Sequence, residues 1–273
     1  MYICRLFCCV EFSLLFPLPQ GTAVSMDPTT LCLALLIALV AGMVKGIVGF
    51  AMPMILMSGL GTLVAPEIAL AALILPTLLG NGIQAFRQGP VMALMSVKKF
   101  RRFLIIGCIC LVTSAQFVLS ISSDILVVGI GSVVAVASLI QILGMEIRLK
   151  RHSIVSDTVF GTIAGLLGGV SGIWGPPTVL YLLALNTEKM EQIRIQGVIY
   201  GLGAVAMTGA HMVSGVLNFE TVWLSVVLTP AALIGMWIGG ILVGHIRQHL
   251  FRRATLIVLL LGALNLIRLG LLA

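Results

Sequence analysis

The chain has 273 residues, 60% of them apolar and only 9% charged, with a net charge of +7. A soluble domain carries about 25% charged residues, so the charges here are too few to cover a water-soluble globule, and mean hydropathy is +1.19. That excludes a cytosolic enzyme, a disordered chain and a small disulfide scaffold. The lipid bilayer is the solvent that suits this composition.

Residues 1–25 fit poorly with the rest. They hold Arg5, Glu11, Pro17, Pro19 and an apolar run too short to span a membrane. Glu11 interrupts what would be the core of a signal peptide. Met26-Asp27-Pro28-Thr29-Thr30 then reads as the opening of a membrane protein, so translation is expected to start at Met26. The six cysteines show no C-x-x-C spacing and read as small apolar side chains.

A helical span needs about 20 apolar residues. Flanking charges mark eight apolar elements: Asp27–Glu67, Glu67–Arg87, Arg102–Asp124, Asp124–Glu146, Asp157–Glu188, Arg194–Glu220, Glu220–Arg247 and Arg253 to the C-terminus. If each crossed once, Lys and Arg would divide ten to five between the two sides. If Asp27–Glu67 and Asp157–Glu188 instead enter and leave on one side, the split becomes thirteen to two. The positive-inside rule favours the second arrangement, with all three basic clusters in the cytoplasm. Those clusters read as loops on anionic lipid rather than as a nucleic-acid surface.

Each of the two suspect elements contains the same motif. Ala41-Gly42-Met43-Val44-Lys45-Gly46-Ile47-Val48-Gly49-Phe50-Ala51-Met52-Pro53 recurs 123 residues later as Ala164-Gly165-Leu166-Leu167-Gly168-Gly169-Val170-Ser171-Gly172-Ile173-Trp174-Gly175-Pro176. The shared pattern is A-G-x-x-x-G-x-x-G-x-x-x-P. The repeat unit is then a broken hairpin followed by three spans, residues 26–147 and 148–273, after the extension 1–25. Three spans is an odd number, so the second copy is inverted relative to the first, as in many secondary transporters. Gly42/Gly46 and Gly165/Gly169 also have the spacing of close helix packing, but packing alone does not explain Pro53 or Pro176-Pro177. Proline breaks a helix, and broken backbone at membrane depth is tolerated where it is buried or lines a cavity.

A break creates a new helix N-terminus, here near Pro53 and near Pro176. Proline suits the first turn, and the free N–H groups attract an anion. Backbone around Gly49–Pro53 and Gly172–Pro177, with Gly46, Gly169 and Gly175, is the expected binding surface. Lys45 would supply charge: a cation at that depth is costly and usually functional, unless it snorkels to an interface. No carboxylate in an apolar run stands ready to pair with it. Asn81, Gln84 and Arg194 are second-tier candidates. Gln116, Gln141, Gln196, Tyr200 and His211 read first as interhelical hydrogen bonds, with His211 also a candidate proton carrier. There is no H-E-x-x-H, Walker loop or G-x-S-x-G, and no metal or cofactor is expected. A lipid-directed membrane enzyme would need a catalytic cluster that the sequence lacks. A structural subunit would tolerate loss of Lys45.

At these motifs the chain resembles the sulfite exporter TauE/SafE family. The resemblance is carried by Lys45-Gly46-Ile47-Val48-Gly49-Phe50 with Pro53, and by Gly168-Gly169-Val170-Ser171-Gly172-Ile173-Trp174-Gly175-Pro176-Pro177 with Tyr181, and it extends from about Leu31 to the end. It implies a carrier of sulfite, sulfonates or related sulfur anions. Phe50-Ala51 and Trp174 stand where the family commonly shows more glycine. The expected protein is an all-α, multi-pass transporter of the inner (plasma) membrane, with six full spans and two broken hairpins. Its expected partners are a small anionic substrate and the bilayer, with a homodimer left open. An anion channel of the same architecture, or a carrier of a small carboxylate, are the alternatives.

Overall fold

The computed structural model describes residues 26–116, 123–145, 149, 153–171, 175–213 and 221–272. Residues 1–25, with the expected extension, lie outside them. The described residues form eleven helices and no strand: α1 Pro28–Val48, α2 Met52–Leu60, α3 Pro66–Phe86, α4 Pro90–Lys99, α5 Arg101–Gln116, α6 Ser123–Ile142, α7 Ile154–Ser171, α8 Gly175–Ala184, α9 Lys189–Val213, α10 Val222–His245 and α11 Gln248–Leu272. Three stretches among them, Pro28–Val48, Ile68–Phe86 and Val222–His245, are long and apolar enough to cross a membrane.

Local signals set several boundaries. Asp27 caps α1, accepting from the Thr29 N–H at 3.2 Å, and Pro28 occupies the first turn. Proline also opens α3 and α4. The two long elements Asp27–Glu67 and Asp157–Glu188 are each divided into two helices: α1 stops before Gly49 and α2 begins at Met52, while α7 ends at Ser171 and α8 begins at Gly175.

Two segments differ from the charge-based reading. Residues 90–99, expected to be loop, form α4. Its Ala93 and Ser96 are buried, and Ala93 packs with Ala85 of α3 and Val198 of α9, while Val91, Leu94 and Met95 stay exposed. Arg252 and Arg253, expected before the last span, lie inside α11. Arg252 is satisfied there, donating to the Leu183 carbonyl at 2.9 Å and to Gln141 Oε1 at 2.7 Å. A guanidinium with carbonyl partners no longer marks a helix boundary.

Small residues let the helices approach closely. A Cβ on Gly42 would lie 1.9 Å from the Ala232 carbonyl oxygen, and one on Gly46 would lie 2.3 Å from that of Met236. The relation is reciprocal: Gly235 and Gly239 of α10 meet the carbonyls of Leu39 and Met43 at 2.0 and 2.2 Å. This is the small-residue interface of membrane helices. The same device joins α7 to α5, where Gly165 meets the Gly107 carbonyl at 2.4 Å, and α9 to α3, where Gly197 meets the Ala85 nitrogen at 2.5 Å. The most extensive contacts are α1 with α10, α5 with α7, α6 with α11 and α3 with α9. Each of these pairs takes one helix from residues 26–147 and one from 148–273.

Two buried clusters result. One gathers Ala34, Ala38, Met52, Leu56, Leu60, Leu228 and Ala232; the other gathers Val48, Phe50, Tyr181, Leu183, Ile199 and Leu259. Leu36, Val40, Ile234 and Trp237 point outward and are exposed, the pattern of helices whose outer face meets hydrocarbon. Gly59 of α2 lies against Ile37 of α1, and Tyr181 of α8 donates to Asp157 Oδ1 of α7 at 2.7 Å. Each short helix is thereby tied to the helix that precedes it.

Glycine spacing predicts a contrast in stability. Gly46→Ala is expected to destabilise the detergent-purified protein by about 1–3 kcal/mol through overpacking. Gly82→Ala, with nothing within 4 Å of the added methyl, is expected to be neutral or stabilising by up to about 1 kcal/mol. Thermal unfolding of the two variants checks this, and equal losses would contradict the packing argument.

Candidate functional site

The α1–α2 break is two left-handed residues around a phenylalanine. Gly49 has φ of 88° and Ala51 has φ of 77°. Gly49 adopts that region freely, but Ala51 is strained by about 1–2 kcal/mol. The break strands the Val48 and Gly49 carbonyls, and two glutamines reach the end of α1, where the Lys45 carbonyl also accepts from the Gly49 N–H at 2.7 Å. Gln84 of α3 donates its Nε2 to the Lys45 carbonyl at 3.2 Å. Gln196 of α9, with its amide nitrogen turned toward α1, donates to the Val48 and Gly49 carbonyls at 3.1 and 3.3 Å. Gln196 sits so close that any Cβ on Gly49 would overlap its side chain. The start of α2 carries Pro53 and no side-chain cap, so its first N–H groups have no side-chain acceptor.

Lys45 lies one turn before this break and is only 1% exposed. Its Nζ donates to Asn81 Oδ1 at 2.5 Å. A Cβ on Gly80 would come within 3.2 Å of Lys45 Cε, so the absence of a side chain there makes room for the lysine. The ion pairs of the described residues, Lys99–Glu191 and Arg194–Glu191, do not involve it. Its Nζ is therefore held by a neutral amide, although a buried cation usually calls for a counter-charge.

Gly175, the first residue of α8, adjoins the first break. A Cβ on Gly175 would lie 3.9 Å from both the Phe50 ring and the Tyr200 hydroxyl, and Tyr200 donates to the Gly175 carbonyl at 3.1 Å. Pro176 and Pro177 are buried at the start of α8. Neither has an N–H, so this end presents fewer backbone donors than its glycine-rich sequence suggests. Gly172 and Trp174 lie outside the described residues, as do the side chain of His211 and the surroundings of Gly169.

Of the predicted site residues, Lys45, Gly49, Asn81 and Gln84 come together at the first break, with Pro53 at the start of α2. Gly175 and Pro176-Pro177 adjoin them across Phe50. Gly46 faces the α10 backbone instead. Arg194 is turned toward α4: its Nε donates to Ser96 Oγ at 2.9 Å and its Nη1 to Gln88 Oε1. Gln196 was legible only as an interhelical hydrogen bond; no sequence spacing relates it to the carbonyls 147 and 148 positions earlier. Asp157, expected to flank a span, is buried against Tyr181, whose ring stacks between Phe103 and Phe160.

These features define a membrane protein, all-helical among the described residues, in which a buried lysine stands beside a helix break. The family model described as Sulfite exporter TauE/SafE matches residues 34–266, nearly the whole chain, and the chain belongs to that transporter family. No curated protein and no solved structure matches it.

Strain at the break gives a second prediction. Ala51→Gly is expected to stabilise the protein by about 0.5–1 kcal/mol, the relief of the left-handed conformation less the extra chain entropy of glycine. Ala51→Val is expected to destabilise it, because a branched side chain resists positive φ. Thermal unfolding in detergent reads both, and a loss of stability on Ala51→Gly would show that the methyl contributes more by packing than it costs in strain.

Proposed function

We propose that this protein is a secondary transporter that carries a small sulfur oxoanion or organosulfonate, such as sulfite, across the cytoplasmic membrane. The observation that carries the reading is Lys45, a buried cation at a helix break with an amide for a partner. A mobile anion is the natural counter-charge for such a group. Family membership points to sulfur anions.

In this reading the architecture is an inverted repeat with two re-entrant hairpins. The spacing of the helices supports it: Met52 and Gly175, which open α2 and α8, stand 123 residues apart, and so do Pro66 and Lys189, which open α3 and α9. That is the offset of the Gly/Pro motif. Packing supports it as well, since α1 rests on α10 while its counterpart α7 rests on α5, the counterpart of α10. Both hairpins have support in the contact of Gly59 with Ile37 and in the Tyr181–Asp157 hydrogen bond. The basic residues agree in placement. Arg87 donates to the Gly240 carbonyl, Lys189 to those of Val243 and Ile246, and Lys99 pairs with Glu191. These contacts gather Arg87, Lys99 and Lys189, each at a helix end, around the C-terminal end of α10 and the start of α9, as a cytoplasmic face requires.

The mechanism follows from the polarity of the break. Gln84 and Gln196 cover the carbonyl end of α1, which would repel an anion. The N–H end of α2, which attracts one, carries no side-chain cap. Lys45 adds a full positive charge beside it. An anion arriving here replaces bulk water with fixed donors and leaves again because each contact is individually modest. A carboxylate carrier would use the same groups, and a channel would differ in showing flux that does not saturate.

Sulfite flux into liposomes containing the purified protein tests this. Saturable flux is expected for the wild type. Lys45→Ala is expected to abolish it while the amount of inserted protein is unchanged. Wild-type flux through Lys45→Ala would assign the lysine a structural role and remove the proposed mechanism.

A further inference from the structure

Thr77, Asn81 and Gln84 share one face of α3, spaced four and three residues apart. Asn81 is engaged by Lys45. The other two each keep an unused oxygen: Thr77 Oγ1 and Gln84 Oε1 are inaccessible to solvent and have no hydrogen-bond partner. Gln84 as a whole is 3% exposed. Buried polar atoms are paired in the great majority of cases, and leaving one unpaired is costly. Rotating the Gln84 amide offers no escape. It would turn Oε1 onto the Lys45 carbonyl and lose the bond that Nε2 makes there.

The apolar side chains packed here add no donor. Lys45 Cε, Met52 of α2 and Met236 of α10 lie around Gly80 of α3, and a Cβ on Gly197 of α9 would lie 2.7 Å from the Gln84 Cβ. Neither methionine side chain has an N–H or O–H. Lys45 has three N–H donors and Asn81 accepts one. The α3 face thus offers one positive charge and, about one helical turn (~5 Å) further on, an acceptor in want of a proton donor.

We infer that the ligand is a singly charged sulfonate or oxoanion that itself carries an O–H or N–H group. Its anionic oxygens face Lys45 and the Thr77 hydroxyl, and its donor faces Gln84 Oε1. A dianion would leave one negative charge without a partner in the site. A monoanion without a donor would leave Gln84 unsatisfied. This inference rests on the proposed anion transport and narrows it to a chemical class.

The probes are ethanesulfonate and 2-hydroxyethanesulfonate, two monoanions of similar size that differ in one hydroxyl. Dissociation constants come from thermal stabilisation of the full-length, detergent-purified protein at a single pH and ionic strength. 2-Hydroxyethanesulfonate is expected to bind about tenfold more tightly, the worth of one hydrogen bond to a buried acceptor. In Gln84→Met the ratio of the two affinities is expected to fall within about twofold, whatever their absolute values. Equal affinities in the wild type would overturn the inference, as a buried water serving Gln84 in both complexes would produce, and this comparison needs no variant. A tenfold preference that survived in Gln84→Met would overturn it too. Stabilisation of the wild type by neither probe, nor by sulfite, would remove the anion site itself, and the inference with it.

Discussion

Hydrocarbon offers backbone no hydrogen bonds, so a helix that stops inside a bilayer must find partners for its last carbonyls within the protein. The α1–α2 break, buried inside the protein, meets the same need. Gln84 reaches from α3 and Gln196 from α9, and the two helices lie together because Gly197 admits the α3 backbone. Once the carbonyls are covered, the local field is set by Lys45 and by the N–H groups of α2. Covering the backbone and placing a cation beside it are thus accomplished within one turn of α1.

Helix packing obeys a related economy. Leucine gains little by leaving lipid for another leucine, so helices in a membrane associate where their backbones can come close. Gly42, Gly46, Gly235 and Gly239 interlock α1 with α10, and Gly161, Gly165 and Gly107 do the same for α7 and α5. These pairs cross between residues 26–147 and 148–273, so the closest helix contacts join the two stretches. The chain must be largely synthesised before its best contacts can form.

Much of the architecture could be read from the sequence because the signals were local. The helix breaks were announced by Gly49, Pro53 and Pro176-Pro177, and the helices themselves by apolar run length. Lys45 stood out as a charge where charge is expensive. The α4 helix escaped notice because Lys98, Lys99, Arg101 and Arg102 dominate its composition, while its fold depends on burying Ala93 and Ser96 against α9. Gln196 and the burial of Asp157 escaped for a different reason. Each depends on contacts between residues distant in sequence, and a single chain carries no record of which polar side chain meets which carbonyl. Arg194 shows the same limit, since its position at the start of an apolar run was compatible with facing either α4 or a cavity.

The two breaks are alike in plan and unequal in chemistry. At the position 123 residues after Lys45 stands Gly168, and where α2 opens with a single proline α8 opens with two. In a carrier built from exchanging halves, such inequality makes the inward-facing and outward-facing forms bind the same ion with different strength. Detailed balance then requires the reorientation rates to differ in compensation, so that no net flow arises without a gradient. A carrier of that kind would fill readily from one face at concentrations that barely load it from the other. It would be a kinetic rectifier, written into a chain as one lysine and one proline.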